Sequence, residues 1–187
     1  MKHDRLKKII FWALCCDLGL FSKRLIAPIA NILTDSLHIP GGIGTSFSLM
    51  FLVIAAVLIP HFGSATLMGT VQSVIALSMG MVGSMGALSP IGYIVPGIII
   101  DCVVSLGRKL RWDNAVVTLL ANMLAGAAAS LTANVIVFHL WGVPLFLYLA
   151  VALTSGAICG ILGDALAKRL KPVIRFEKKD NKKEIEA

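Results

Sequence analysis

Asp101 is the residue with the strongest claim to chemistry, because it ends a long stretch without Asp, Glu, Lys or Arg that begins after Asp35. An ionised carboxylate at membrane depth is costly unless it is paired, hydrated or turned to a cavity. Asp101 is therefore a candidate to hold a cationic or amine-bearing ligand, with water or Arg108, seven residues later, as the alternative partner. Asp17, Lys23 and Arg24 form a second charged group. Positions 17 and 24 share roughly one face of a continuous helix and can neutralise each other. Lys23 or Arg24 near an outer mouth would instead attract an anionic group, or snorkel to the interface. Gln72, Ser73, Asn122 and Asn134 are polar groups inside apolar runs, where buried amides seek partners on neighbouring helices or on a ligand. Tyr93 and Trp141 stand at the edges of apolar runs, as members of an interfacial aromatic belt do; a pocket role is the second reading for Tyr93.

No catalytic set accompanies these residues. His3, His38, His61 and His139 sit near ends or turns, with no HExxH pattern and no His–carboxylate pair at metal-ligand spacing. No phosphate-binding Walker loop is present. Cys15, Cys16, Cys102 and Cys159 have no CxxC spacing and lie in apolar segments, which suits reduced packing residues better than a disulfide or zinc framework. The expectation is a protein that is not an enzyme and needs no metal or cofactor. Any active transport would draw its energy from a partner or an ion gradient.

The elements that must position these residues follow from the distribution of charge. Hydrophobic residues make up 57% of the 187 residues and charged ones 14%, against about 25% charged in an ordinary soluble domain. Charge-free intervals run from Asp35 to Asp101 and from Asp113 to Asp164. At about 20 residues per spanning helix, they have room for three short spans and for two. Soluble helices would each need a polar face, and none is visible. The expected fold is all-α, an integral membrane bundle of six transmembrane helices. The net charge of +7 does not indicate nucleic acid, because every Lys and Arg except Lys23 and Arg24 falls in one of three clusters: before the first span, between Arg108 and Arg111, and after Ala167. The positive-inside rule places these clusters, and both termini, in the cytoplasm. The localisation expected is a multi-pass cell-membrane protein, of the prokaryotic plasma membrane. The apolar start is read as a retained span rather than a signal peptide, since Asp17, Lys23 and Arg24 interrupt it.

The spans are expected at about Ile9 into the twenties, Ser46–Ile59, Ser64–Val82, Ile91–Leu106, Ala115–Phe138 and Val143–Ala167. Residues 1–170 form one membrane domain and residues 171–187 a solvated, frayed tail. Pro28, Pro40, Gly41 and Gly42 predict a long, partly structured external loop between the first two spans. In the third span Gly69, Ser73, Ala76 and Gly80 recur on one face that admits a close neighbour. Pro96-Gly97 predicts a kink in the fourth span.

This organisation, together with Gly63-Ser64-Ala65, the run from Gln72 to the glycine-rich turn at Gly83, and Pro96-Gly97 with Asp101, resembles the substrate-binding S component of an energy-coupling factor vitamin transporter, loosely its thiamine and hydroxymethylpyrimidine branch. The resemblance implies an outward-open pocket closed by loops at about Ile32–Thr45 and Gly83–Ser89. It implies docking through small residues of the first helix, here Ala13, Cys16 and Gly19, on a transmembrane coupling subunit that links to two cytoplasmic ATPases. Asp101, Gln72, Tyr93, Asn122, Asn134 and Ser84 are the ligand-contact candidates. A thiamine-type ring would want an acid and stacking aromatics; cobalamin would want room and the soft side chains of Met79, Met81 and Met85. A self-sufficient carrier or channel and a non-transporting membrane scaffold are the competing classes.

Overall fold

The computed structural model describes residues 2–37, 43–59, 61–80 and 83–183, and among the described residues the regular structure is helical, with no strand. Pro28 does not end the first helix: α1 runs Lys2–Leu37, so most of the expected external loop is helix. A proline removes one backbone hydrogen bond and kinks a helix, whereas unwinding in an apolar surrounding would orphan several polar groups at once. Cys15, Cys16, Gly19 and Leu20 face inward on α1, while Leu14, Leu18, Phe21, Leu25 and Ile29 face out.

The centre of the bundle is α2, Ile43–Leu58. Its segment Leu52–Ala56 is buried on all sides, as expected of a helix apolar around its whole circumference, and it meets every other helix. Next come α3, Ser64–Ser78, and α4, Ser89–Lys109, joined through a short 3₁₀ segment, Gly83–Leu88. Gly69 and Gly97 set the α3–α4 distance. A Cβ at Gly69 would lie 2.5 Å from the Tyr93 carbonyl oxygen, and one at Gly97 would lie 2.8 Å from that of Ala65. Of the small face expected on this span, Gly69, Ser73 and Ala76 are buried, and Gly80 falls beyond the helix end with φ 68°.

Helix α5, Asn114–Thr132, widens into a π turn at Ala133–Val137. Helix α6, Val143–Lys183, packs along it. The seam again depends on missing side chains, since a Cβ at Gly156 would lie 2.8 Å from Met123 Cα and one at Gly160 would lie 2.7 Å from Leu119 Cα. Helix α6 continues past the expected end at Ala167 and through Pro172, so the charged segment 171–183 is helical rather than frayed.

Among the described residues, three helices are long and apolar enough to cross a membrane: Ser89–Lys109, Asn114–Val137 and Val143–Pro172. At 16 and 15 residues, α2 and α3 fall below the ~20 residues of a full span. The length of α1 is ample, but Asp17, Lys23 and Arg24 interrupt its apolar run. The outside of the bundle is apolar as well: Phe146, Leu147, Ile158 and Ile161 on α6 are all exposed. Lipid, not water, solvates such a surface at low cost.

Candidate functional site

The sequence leaves α3 without a cap of its own. Gly63 precedes it in the left-handed conformation, φ 85°, and supplies no side-chain acceptor, although the first N–H groups of any helix need partners. Asp101 on α4 provides them. Its carboxylate accepts from the Ala65 N–H at 3.1 Å, the Thr66 N–H at 2.8 Å and the Thr66 hydroxyl at 2.6 Å. A negative charge is thereby placed at the positive end of the α3 dipole. Two turns further along α4, the Arg108 guanidinium donates to the Ala56 carbonyl at 2.7 Å, in the last turn of α2. The two charges of α4 thus hold the facing ends of α2 and α3, each with the sign that the helix end attracts. Asp101 also borders an open cleft of about 420 Å³ with Phe62, Thr66, Leu67, Ile98 and Cys102. Both its oxygens are already engaged by α3.

The buried amides are engaged in the same way. Gln72 donates to the Cys16 carbonyl at 2.9 Å, tying α3 to α1. Asn122, fully buried, donates to Gly156 at 3.0 Å and Ser46 at 3.3 Å, joining α5 to α6 and α2. Its Oδ1 is buried without a hydrogen-bond partner. Beside it the Ser46 and Ser155 hydroxyls share a 2.9 Å hydrogen bond. Asn134 bonds locally, donating to the Ser130 carbonyl at 2.9 Å and hydroxyl at 3.1 Å, and Ser73 donates to Thr70. These are helix-to-helix and within-helix bonds. Of the ligand-contact candidates whose side chains are described, Asp101 borders the cleft, while Gln72, Tyr93, Asn122 and Asn134 do not line it.

A different pair is brought together instead. Lys23 continues the inward face of α1, one turn beyond Leu20, and is half-buried. Its ammonium donates to the Tyr93 hydroxyl at 3.2 Å and lies 4.3 Å from the Tyr93 ring centroid. Tyr93 is 8% exposed, packed with Leu20 and Ala76. Among the described residues no carboxylate pairs with Lys23. Asp17 is exposed on the other side of α1. Sequence reasoning had both residues but not their meeting, which links α1 to α4 across 70 positions. The available signal was helical period: Cys16, Leu20 and Lys23 follow one another at spacings of four and three, the repeat of one helix face.

Of the docking candidates, Ala13 is exposed, but Cys16 and Gly19 are buried inside the bundle. The Cys16 thiol donates to the Met68 carbonyl, and the Gly19 carbonyl accepts from Ser48 at 2.8 Å. The free face of α1 is its large apolar one, not its small one. Trp141 is 72% exposed. The Ser84 side chain lies outside the described residues, as do residues 38–42 of the first expected loop. The described residues bring no group of three or more His, Cys, Asp or Glu into metal-binding reach. Comparison with known proteins returns no match: no family model fits the chain, and no curated protein or solved structure resembles it significantly.

Proposed function

We propose that the chain is a six-span membrane protein with cytoplasmic termini that captures a small ligand from outside and delivers it with a separate ATPase coupling module, as the S component of an energy-coupling factor importer does. The shorter helices α2 and α3 cross as part of a locally thinned or tilted bundle, and α1 crosses with Lys23 turned to the interior. The direction is supported by charge: Lys2–Lys8, Arg108–Arg111 and the bases after Ala167 fall at alternate helix ends. On this orientation Asp101 and Arg108 occupy the cytoplasmic half, and Lys23 and Tyr93 the outer half.

The observation that carries the ligand-capture reading is the inward ammonium of Lys23, stabilised by Tyr93 and without a counter-charge among the described residues. A scaffold that only held lipids or partners would gain nothing from an unneutralised cation on an inward helix face. Asp101, the acid that a cationic thiamine ring would require, is engaged in capping α3, so the reading no longer favours a cationic vitamin. The test is uptake of labelled vitamins into vesicles holding the protein with and without a coupling module and ATP. Uptake only with both supports the reading. Uptake by the protein alone identifies a self-sufficient carrier, and no uptake in either case supports the scaffold.

A further inference from the structure

We infer that the ligand carries an anionic group, a carboxylate or phosphate, and that Lys23 with Tyr93 is the site that receives it; the inference rests on the ligand-capture reading and specifies its ligand class. Three observations converge. Lys23 is on the inward face of α1, in line with Cys16 and Leu20 rather than with the exposed Leu18, Phe21 and Leu25, so its ammonium is not reaching for the lipid surface. Its partner in the bundle is the phenol of Tyr93, itself packed with Leu20 and Ala76, and among the described residues no acid neutralises it. Tyr93 fixes its position by two contacts at once, a hydrogen bond and the ring face.

An ammonium held at a preset position on an inward helix face is stabilised by an incoming opposite charge. An ammonium has three donors; the phenol oxygen accepts from one, leaving two for the ligand. The Tyr93 hydroxyl accepts from Lys23 and keeps its own proton to donate to the same anion. Lys23 and Tyr93 would therefore bind one carboxylate or phosphate oxygen pair jointly, and an amide or alcohol of equal shape would lose the charge-assisted part.

The anion can come from a soluble vitamin-like acid or from a lipid headgroup, and one experiment separates these. The full chain in phosphatidylcholine nanodiscs is melted with nicotinate, pantothenate, biotin and inorganic phosphate, with the corresponding amides or alcohol, and with thiamine; a second set of nanodiscs contains phosphatidylglycerol. Native mass spectrometry reads stoichiometry in each case. The expected result is one-to-one binding of an acid but not of its neutral analogue. Lys23→Met should lower affinity about 10- to 100-fold, the range for a charge-assisted hydrogen bond, Lys23→Arg should retain most of it, and Tyr93→Phe should give a smaller loss. Stabilisation by phosphatidylglycerol alone, lost in Lys23→Met, supports the anion site and assigns it to lipid. Binding of thiamine or a neutral analogue that Lys23→Met leaves unchanged overturns the inference while the ligand-capture reading stands. No response to any probe or to phosphatidylglycerol overturns both.

Discussion

The two charged regions of this bundle treat their charges in opposite ways. Around α4 the carboxylate of Asp101 and the guanidinium of Arg108 are satisfied by backbone groups of α3 and α2. Around α1 the ammonium of Lys23 meets a tyrosine and, among the described residues, no acid. A charge buried for architecture finds its complement within the chain, because an uncompensated one is strongly destabilising. A charge with no complement among the described residues is the better candidate for function. By that criterion the acid that looked most functional in the sequence is architectural, and Lys23 is the stronger candidate for the proposed site.

The comparison can be broken by substitution. Asp101→Ala removes three hydrogen bonds to the start of α3 and should cost about 3 kcal/mol, given the usual worth of bonds to charged groups and helix ends; a thermal melt in detergent or nanodiscs measures it. A stability within error of wild type would show that Asp101 is not a structural cap. Gly69→Leu forces a side chain onto the Tyr93 backbone and should destabilise by about 2 kcal/mol, the scale of overpacking. If the melt is unchanged, the α3–α4 contact is looser than described. Asn122→Ala should cost about 1 kcal/mol, since hydrogen bonds between membrane helices are individually modest, and it should weaken the α5–α6 contact first in hydrogen exchange. Arg108→Gln should cost somewhat less, about 0.5–1 kcal/mol, because Arg108 is exposed and solvent can serve the Ala56 carbonyl in its place. Lys23→Met should leave stability unchanged or raise it, as expected when an unpaired charge is removed from an apolar surrounding; a marked fall in melting temperature would move Lys23 to the architectural class.

Helicity and membrane character were legible because charge-free runs and small-residue spacings act locally: Gly69, Ala76, Gly156 and Gly160 are visible as close-contact positions before any fold is known. Boundaries were less so. Pro28 reads as a break, but in apolar surroundings the backbone keeps its hydrogen bonds and α1 continues; α6 likewise runs past the expected end at Ala167. Helix lengths were not legible either: charge-free length does not register that α2 and α3 are only 16 and 15 residues long. The partners of polar residues were legible least, because they are tertiary: nothing near Asp101 in sequence identifies Ala65 and Thr66 as its donors, and nothing near Lys23 identifies Tyr93. Face assignment on α1 was recoverable in part. The period that turns Cys16 and Leu20 inward carries Lys23 with them, and the same period removes Cys16 and Gly19 from any docking surface.

The central claim is tested most directly by native mass spectrometry of the protein purified from its own membrane, as wild type, Asp101→Asn and Lys23→Met. The expected result is one bound small acid per chain in wild type, retained by the folded fraction of Asp101→Asn and absent from Lys23→Met. A ligand retained by Lys23→Met and lost from folded Asp101→Asn would contradict it.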